Sequence, residues 1–390
     1  MNIVILNWRD IKNEWAGGGE VYVFELAKRW VKMGHEVTLL CGQDIKKNLP
    51  EYEKIDGIHV YRKGGRYGLY FWAALSYLRR FRKNCDFVVD VQNGIPFFSV
   101  LYSRKPKLSV VYHVHGNQFF IELPFPLSLV GYVIEKYVFP LFYFNTKIVA
   151  ISRTTKEALV KIGFLEKNIH IVYCGMNSKK NGRILKRSTA PTILYLGRIK
   201  KYKRVDFLVK MMPEILKKIP NAQLIIAGWG TEASIVTDMS MRSIIRKKVK
   251  ILGPVTVSEK RKLLSRAWVF VNPSIGEGWG ISVLEANQYG VPAVAFDVPG
   301  LSESIKNKKT GLLAKNDGDF IEKVVEILED SKTRRELGNN AKKHADSFDW
   351  NKAAVDVNRL MTEEMGNNEL GFIEKFQSVP LFSYNRKRSK

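Results

Sequence analysis

The chain has 390 residues and a formal net charge of +25, with 63 lysines and arginines against 38 aspartates and glutamates. Its hydrophobic content of 45% is ordinary for a globular protein, and the length is sufficient for two domains with separate cores. The charge implies an anionic partner, such as a nucleic acid, a phosphorylated ligand or an acidic membrane surface. Three widely separated cysteines, Cys41, Cys85 and Cys174, suggest neither a disulfide framework nor a zinc site.

The sequence patterns predict neither a leader peptide nor a membrane span. The apolar run at residues 2–6 is too short for a signal peptide and predicts a buried strand. The most apolar stretch, residues 127–144, is interrupted by Glu135, Lys136 and Pro140, whereas a spanning helix needs about 20 nearly uninterrupted apolar residues. We therefore expect a cytoplasmic protein without a transmembrane segment.

Both halves of the chain alternate strand patterns with helix patterns. Residues 2–6 lead through a glycine loop into apolar residues at helical spacing over 20–33, with Gly34 as a stop signal. Further strands in the first half are predicted over residues 35–41, 58–61, 86–91, 108–116 and 146–152. Strands in the second half are predicted over residues 191–197, 222–230, 248–253, 268–274 and 291–296.

This alternation predicts an α/β protein whose parallel sheets carry helices on both faces. The polar, basic residues 177–192 are interpreted as a linker between two doubly wound domains. We assign residues 1–176 to the first domain and 177–354 to the second, and expect a helix and basic tail, 355–390, to return to the first. Ligands of such sheets bind at the carboxyl ends of the strands, so the predicted site is the cleft between the domains.

Two glycine-rich turns follow predicted strands. Gly17, Gly18 and Gly19 precede the first helix, where their amides could approach a phosphate closely; a tight turn explains the pattern equally well. Residues 228–233, GWGTEA, match the dinucleotide fingerprint, but the acidic residue expected about 20 positions later is missing. We favour a plain strand-to-helix turn there over a nicotinamide site.

Two cations, Arg198 and Lys203, flank the loop after the first predicted strand of the second half. A guanidinium and an ammonium at the carboxyl end of a strand suit a diphosphate. The alternative is a solvated basic loop, which is what we expect for Lys200, Lys201 and Arg204.

Two histidines and two glutamates are further candidates. His113 and His115 end the strand predicted over 108–116, where they would share one face, and His115 is nearer the cleft. A packed core histidine is the alternative. Glu277 and Glu285 lie before and in the second turn of a predicted helix, and a buried carboxylate there needs a hydrogen-bond donor or a cation. They either face water or bind a polyhydroxylic or cationic ligand.

Taken together, four stretches resemble the retaining nucleotide-sugar glycosyltransferases of the GT-B fold, carbohydrate-enzyme family four. These stretches are GGGE at 17–20, HVHG at 113–116, GRIKKYKRVD at 197–206 and PSIGEGWGISVLEANQYGVPAVA at 273–295. The resemblance extends from residue 1 to about residue 361. It implies two Rossmann-like domains facing a cleft, and transfer of a hexose, glucose or mannose, from a UDP- or GDP-sugar to a glycan acceptor.

The resemblance also implies how the donor diphosphate is held. The amides of Gly17 and Gly18 would meet it, and Arg198 and Lys203 would neutralise it. Because these groups already supply positive charge, no metal ion and no cofactor other than the donor is expected.

For the sugar and the ribose of the donor, the resemblance implies contacts with three side chains and with the amides at one helix start. His115 would lie beside the donor sugar near the acceptor, Glu277 would bind hydroxyls of the sugar, and Glu285 would bind the ribose hydroxyls. The helix-start amides expected to donate to the sugar or phosphate are those of Gly278, Trp279 and Gly280.

The sequence departs from the family pattern at two places. Cys174 and Asn177 stand where the family has asparagine and aspartate at the interdomain hinge. The loop before Glu303 reads DVPGLSE, without the usual double glycine. These departures concern the linker and the choice of donor sugar, and leave the diphosphate and ribose ligands intact.

The excess charge bears on the acceptor. Basic and aromatic residues cluster over 67–83, and an apolar stretch over 119–144 lies in the same half. We hypothesise that the first domain docks peripherally on an anionic inner membrane leaflet and extends a lipid-linked glycan, a precursor of surface polysaccharide or protein N-glycans. The alternative is that these residues are core and that the acceptor is soluble.

Two rival functions belong to other classes. A nucleic-acid-binding protein would account for the charge, but the basic residues are scattered through both halves and no binding motif is present, so we expect no nucleic-acid partner. A carbohydrate-binding protein without turnover is the second rival. The intact Arg198, Lys203, Glu277 and Glu285 argue against it.

Overall fold

The computed structural model describes residues 1–44, 46–65, 68–177, 186–241 and 245–370, with the side chains of 367–370 excepted. Within these residues the first sheet has eight strands in the order β3-β4-β2-β1-β5-β6-β7-β8. They are β1 (Asn2–Leu6), β2 (Glu36–Cys41), β3 (Tyr52–Ile55), β4 (Ile58–Arg62), β5 (Phe87–Gln92), β6 (Lys107–Val111), β7 (Lys147–Ala150) and β8 (Ile169–Ile171). Neighbours pair in parallel except β3 with β4.

The second sheet is parallel throughout, with six strands among the described residues in the order β11-β10-β9-β12-β13-β14. They are β9 (Thr192–Leu196), β10 (Gln223–Ala227), β11 (Val249–Ile251), β12 (Val269–Asn272), β13 (Ala293–Phe296) and β14 (Gly311–Ala314). Its central strands are buried on both faces, which is why they are continuous apolar runs in the sequence.

Helices cover both faces of each sheet. Those that begin before the second sheet are α1 (Gly18–Lys32), α2 (Leu69–Ser76), α3 (Ser99–Tyr102), α4 (Gln118–Glu122), α5 (Leu127–Val133), α6 (Phe139–Tyr143) and α7 (Arg153–Lys161). The later ones are α8 (Val205–Lys210), α9 (Met212–Lys218), α10 (Ala233–Met241), α11 (Val257–Arg266), α12 (Ile281–Gln288), α13 (Leu301–Ser304), α14 (Asp317–Glu329), α15 (Ser331–Asp346) and α16 (Trp350–Leu370). None of these described helices is long and apolar enough to cross a bilayer.

The predicted α/β class with two doubly wound domains is confirmed. The strands predicted from apolar runs are present, although the one predicted over 108–116 ends at Val111. Three strands were not predicted. The β3 strand is an exposed, polar edge strand, and β8 and β14 have three and four residues, so they lack the long apolar pattern that identifies a strand.

The glycines of the GWGTEA turn serve a close backbone contact. A Cβ atom on Gly228 would lie 1.8 Å from the carbonyl oxygen of Gly197, and one on Gly230 would lie 2.1 Å from that of Ile199. The turn after β10 therefore rests directly on the loop after β9. This contact accounts for both glycines without a dinucleotide.

The last helix, α16, returns to the first domain. Trp350 is 1% exposed in a core shared with α1, and Trp30 donates its indole N–H to the carbonyl of Ala354 at 3.1 Å. The helix begins at Trp350, before the boundary at residue 355 expected from the sequence. Residues 178–185 of the predicted linker and 371–390 of the predicted basic tail lie outside the described residues.

We predict that Trp350→Ala destabilises the first domain by about 3–5 kcal/mol, because it leaves a cavity where α16 contacts α1. The control Lys352→Ala, two residues along the same helix and exposed, should change the free energy of unfolding by less than about 0.5 kcal/mol. Urea denaturation of both variants measures the difference. Equal transitions would mean that α16 does not stabilise this domain.

Candidate active site between the two sheets

Loops from the carboxyl ends of both sheets meet in the cleft at backbone distance. A Cβ atom on Gly278, in the loop after β12, would lie 2.6 Å from the carbonyl oxygen of Tyr112, just after β6. A Cβ atom on Gly18 would lie 3.2 Å from Ile281, the first residue of α12. The start of α1 thus faces the start of α12 across the cleft.

Arg198 reaches this meeting point from the loop after β9. A Cβ atom on Gly17 would be 3.7 Å from the central guanidinium carbon of Arg198, and the guanidinium donates to the Tyr202 hydroxyl at 3.4 Å. Burial tends to lower the pKa of Arg198, but Tyr202 and the carboxylates of Glu20 and Glu277 raise it above its usual value. The guanidinium is therefore a permanent positive charge beside the glycine loop.

Lys203 forms an ion pair with Glu277, and both side chains are only 13% exposed. The same carboxylate oxygen, Oε1, lies 2.8 Å from the Ser274 hydroxyl and accepts from the Asn272 amide at 3.3 Å. Burial would raise the pKa of Glu277, but Lys203 and these hydrogen bonds hold it below its usual value. Burial likewise opposes the charge of Lys203, and Glu277 raises its pKa. Both groups are thus ionised at neutral pH.

The two helix starts add partial positive charge at the same place. Gly280 precedes α12 with φ +82°, a conformation that favours glycine, and turns the chain into the helix. Gly17 precedes α1, but its amide N–H donates to the Glu20 carboxylate at 2.7 Å. The amide of Gly17, expected on the donor diphosphate, is therefore already paired within the protein.

Glu285 lies in the second turn of α12 and is paired with Lys260 of α11. Lys260 was not identified from the sequence, because it lies in a helix with several exposed lysines and arginines and only the fold brings it to Glu285. The pair is about one-third exposed, so the carboxylate remains accessible to solvent.

The Trp279 side chain is buried, whereas the expectation concerned only its backbone amide. Its indole is 3% exposed and packs against Tyr173 and Phe348, with ring centroids 4.6 and 5.4 Å away. This side chain belongs to the core that joins the domains, which leaves only the backbone of Trp279 to contact a donor. Its indole N–H has no hydrogen-bond partner among the described residues.

His113 and His115 lie in the loop after β6 rather than in the strand, with their ring centroids 4.0 Å apart. Burial lowers the pKa of His113 well below its usual value, and the nearby His115, Lys203 and Arg198 lower it further. His113 is therefore neutral. Gln118 extends the loop towards the second domain, because a Cβ atom on Gly276 would lie 3.0 Å from its side-chain nitrogen.

His115 is held by a residue that sequence reasoning treated only as an interruption of an apolar stretch. The Glu135 carboxylate is 3.0 Å from His115 Nδ1 and accepts the backbone N–H groups of His115 and Gly116. A lone glutamate in an apolar run was the available signal, since such a residue needs a buried partner.

A carboxylate outside the candidate site joins the domains. Glu303 accepts the backbone N–H groups of Arg153 and Thr154, at 2.9 and 3.1 Å, at the start of α7. It also accepts the hydroxyl of Tyr173 at 2.7 Å. Burial, with Glu303 adding to it, raises the pKa of Tyr173 to about 12. The departure from the family pattern before Glu303 thus falls in a segment that contacts the other domain.

Two of the three cations that were expected to be solvated in the loop after β9 form ion pairs instead. Lys201 is exposed, but Lys200 bridges the domains through an ion pair with Glu122 at 2.8 Å. Arg204 pairs with Asp317 at 2.9 Å. Solvation was the wrong expectation for these two because their partners come from distant elements.

Acidic residues do not gather into a metal site in the part of the chain that is described. An Asp-x-Asp pattern, Asp317 and Asp319, opens α14, but Asp317 pairs with Arg204 and Asp319 pairs with Lys323. These carboxylates are therefore held by cations of the protein.

Comparison with known proteins agrees with this geometry. The sequence family described as glycosyl transferases group 1 matches residues 177–344, and glycosyltransferase family 4 matches residues 16–180. An uncharacterised glycosyltransferase of Methanocaldococcus jannaschii is 28% identical over 94% of this chain and 100% of its own. An N,N'-diacetylbacillosaminyl-diphospho-undecaprenol alpha-1,3-N-acetylgalactosaminyltransferase of Campylobacter jejuni is 28% identical over 69% of this chain and 74% of its own.

Solved structures show the same fold. Sucrose-phosphate synthase of Thermosynechococcus elongatus superposes with a TM-score of 0.76 over 94% of this chain and 99% of its own, at 19% identity. Anabaena HepE in complex with UDP and glucose superposes with a TM-score of 0.72 over 93% of this chain and 100% of its own, at 16% identity. The two family matches together span both domains and meet at the hinge. The chain therefore belongs to the group 1, family 4 glycosyltransferases, and its fold is GT-B.

Proposed function

We propose that the protein is a retaining hexosyltransferase that moves glucose or mannose from a UDP- or GDP-sugar to a lipid-linked glycan at an anionic membrane surface. The observation that carries the donor half is the meeting of Arg198, Lys203 and the first turns of α1 and α12 at one point in the cleft. Four sources of positive charge at one point suit a diphosphate.

In the transfer step, the bond between the anomeric carbon and the phosphate oxygen breaks while the acceptor oxygen bonds to that carbon from the same face. The acceptor proton passes to the departing phosphate oxygen, and the nucleoside diphosphate leaves. Arg198 and Lys203 stabilise the charge that develops on the phosphate, so the reaction needs no metal ion. Glu277 is held by Lys203 through Oε1, which favours a role in binding sugar hydroxyls over that of a nucleophile.

Two of the similar proteins support this choice of substrates. The Anabaena structure contains UDP and glucose. The name of the Campylobacter relative specifies an acceptor joined to diphospho-undecaprenol, a lipid.

The acceptor part of the proposal is based on the helical segment of residues 127–143, in which the usual arrangement of buried apolar and exposed polar residues is reversed. We call it the inverted helical segment. Its fully buried positions follow helical spacing but are largely small or polar, whereas its exposed positions are apolar. The buried residues are Ser128, Gly131, Glu135, Phe139 and Tyr143. The exposed apolar residues of this segment and its flanks, here called the apolar surface, are Phe120, Ile121, Phe125, Leu127, Leu129, Val130, Val133, Tyr137, Leu141, Phe142 and Phe144.

Such a surface is unusual on a soluble domain. Phe125 is 78% exposed and Leu141 is 69% exposed, and large contiguous apolar patches mark sites of interaction with proteins or membranes. The alternative, that residues 119–144 lie in the core, therefore does not hold for one face of the segment.

Exposed cations in the same domain favour an anionic lipid. The rings of Phe98 and Phe142 are in contact at 6.1 Å, and Phe97 contacts Tyr70 of α2 at 4.9 Å, so α2 and α6 lie on either side of α3. The helical turn that follows α2 carries four exposed cations: Arg79, Arg80, Arg82 and Lys83. Each cation near an anionic membrane contributes about 1 kcal/mol of attraction.

The apolar surface also begins beside the cleft. Its first residues, Phe120 and Ile121, lie on α4, whose first residue, Gln118, faces Gly276 of the second domain. Glu122 of the same helix pairs with Lys200. A glycan joined to a lipid in the membrane would therefore enter the cleft next to the loop that carries His115.

We predict that Arg198→Ala and Lys203→Ala each reduce kcat by about 10²–10³-fold, or about 2.7–4 kcal/mol in the barrier, because charge on the leaving diphosphate is then uncompensated. Lys201→Ala, an exposed lysine of the same turn, is the matched control and should retain full activity. Transfer is assayed from UDP- and GDP-glucose and -mannose in excess EDTA. Near-normal turnover in both site variants would contradict the assignment.

We predict that Glu285→Ala weakens binding of the nucleoside diphosphate by about 1.5–3 kcal/mol, since a charged acceptor for the ribose hydroxyls is lost. Glu277→Ala should leave this affinity nearly unchanged and lower sugar transfer instead. Calorimetry with UDP and GDP measures the nucleotide affinity of both variants, and the transfer assay above measures their activity. The exposed Glu329→Ala is the control. Unchanged affinity in the Glu285 variant would remove it from the ribose site.

We predict that the protein sediments with phosphatidylglycerol vesicles and not with phosphatidylcholine vesicles, and that salt weakens the association. Changing Arg79, Arg80, Arg82 and Lys83 to glutamine should reduce binding at least tenfold, because about 1 kcal/mol is lost per cation. The matched control removes the same charge from exposed positions of α9 and α15, at Lys217, Lys218, Lys342 and Lys343.

The alternatives have distinct outcomes in the same experiment. Equal binding to both vesicle types, or equal loss in the two variants, would favour a soluble acceptor. Concentration-dependent association without vesicles would instead make the apolar surface a contact between two copies of the chain.

A further inference from the structure

Glu135 is a buried carboxylate whose partners all belong to the loop after β6. It is 2% exposed and lies in the π-helical turn Ile134–Val138 between α5 and α6. Oε1 accepts the backbone N–H of His115 at 2.9 Å and lies 3.0 Å from His115 Nδ1, while Oε2 accepts the N–H of Gly116 at 2.7 Å. A buried carboxylate is costly unless donors satisfy it, and here one short loop provides them.

These contacts determine the state of the His115 imidazole. An ionised carboxylate can only accept hydrogen bonds, so Nδ1 must carry the proton that faces Glu135. In the neutral ring, Nε2 then keeps its lone pair. The two backbone hydrogen bonds fix the position of the loop, and the Nδ1 contact fixes the rotation of the ring.

Packing holds the ring on both sides. The imidazole stacks on Phe119 with ring centroids 5.0 Å apart and lies 4.0 Å from that of His113. Phe119 is itself pressed against α5, because a Cβ atom on Gly131 would lie 2.8 Å from its ring. The titratable or charged groups around the ring are Glu135, neutral His113 and, across the cleft, Lys203 and Arg198, which act on His113.

We propose that Glu135 is a positioning residue of the transferase, acting only through His115: it selects the Nδ1–H tautomer and directs Nε2 to the reacting sugar and acceptor. This inference rests on the proposed function for its catalytic consequence. The structural part of the inference, the tautomer of His115, can be tested whether or not the protein has the proposed activity.

The tautomer is tested first, by ¹⁵N NMR of the full chain with labelled histidine at neutral pH. We expect His115 to be the Nδ1–H tautomer in the wild type and a mixture of tautomers in Glu135→Gln, which keeps the side-chain shape but removes the charge. His35, His59, His170 and His344 serve as internal controls, because their ring signals should not change. An Nε2–H tautomer in the wild type would overturn the proposal, even if the variant failed to fold.

The catalytic role is tested by a double-mutant cycle. Glu135→Gln should lower kcat about 10- to 100-fold, as is typical when the group that orients a functional histidine is lost, with donor KM and UDP affinity unchanged. His115→Ala should lower kcat at least as much, and adding Glu135→Gln to it should cost nothing further. Glu157→Gln, an exposed glutamate on α7, is the control and should match the wild type.

The outcomes separate the two proposals. Additive losses in the double variant would show that Glu135 acts on the fold and not through His115, and would overturn the inference. A normal kcat in Glu135→Gln would do the same. A wild-type protein that transfers no hexose would instead defeat the proposed function, while the NMR result would still decide the tautomer.

Discussion

The backbone contact between the two sheets is the constraint on which the site depends. The loop at Gly278 approaches the carbonyl of Tyr112 so closely that a methyl group would clash, and the start of α1 touches the start of α12. The two helix N-termini can reinforce one another because they lie close together, with the Ile281 side chain against Gly18. Glu303 reinforces this arrangement from the second domain by binding the start of α7, and the Trp279 indole packs into the core of the first. The candidate site is thus assembled from parts of both domains.

How far the sequence predicts this structure depends on whether a residue acts locally or through the fold. Most of the strands, the glycine loop and the two glutamates of the 273–295 stretch were predictable, because apolar runs, glycines and fixed spacing are local signals. Lys260 and Glu135 were not, because each is defined by a partner 20 or more residues away. The burial of the Trp279 indole was not predictable for the related reason that a side chain next to a binding loop can face the opposite way. A sequence motif can predict what a stretch of backbone does, whereas the direction of a side chain is known only from the packing of the folded chain.

The reversed burial pattern of the inverted helical segment is explained by the contacts that its buried residues make. Gly131 is needed where α5 meets Phe119, and Glu135 is needed where the next turn binds the loop of His115. These small and polar residues occupy the face that a soluble helix would use for its apolar contacts. The apolar residues therefore remain on the other face, where only a nonpolar environment outside the domain can cover them. One face of this segment consequently holds the loop of His115, and the other face is the apolar surface.

The net charge of +25 is far larger than a donor site requires, and its reach limits what it can do. At physiological salt the Debye length is about 8 Å, so cations on the second domain act weakly on a membrane that touches the first. For the proposed docking, the charge that counts is that of the first domain, which includes the exposed cations after α2. Charge alone would bind the protein in many orientations, whereas the apolar residues can be covered in only one. In the orientation proposed above, α4 would lie at the membrane with the mouth of the cleft beside it, so the orientation itself would determine which acceptors reach His115.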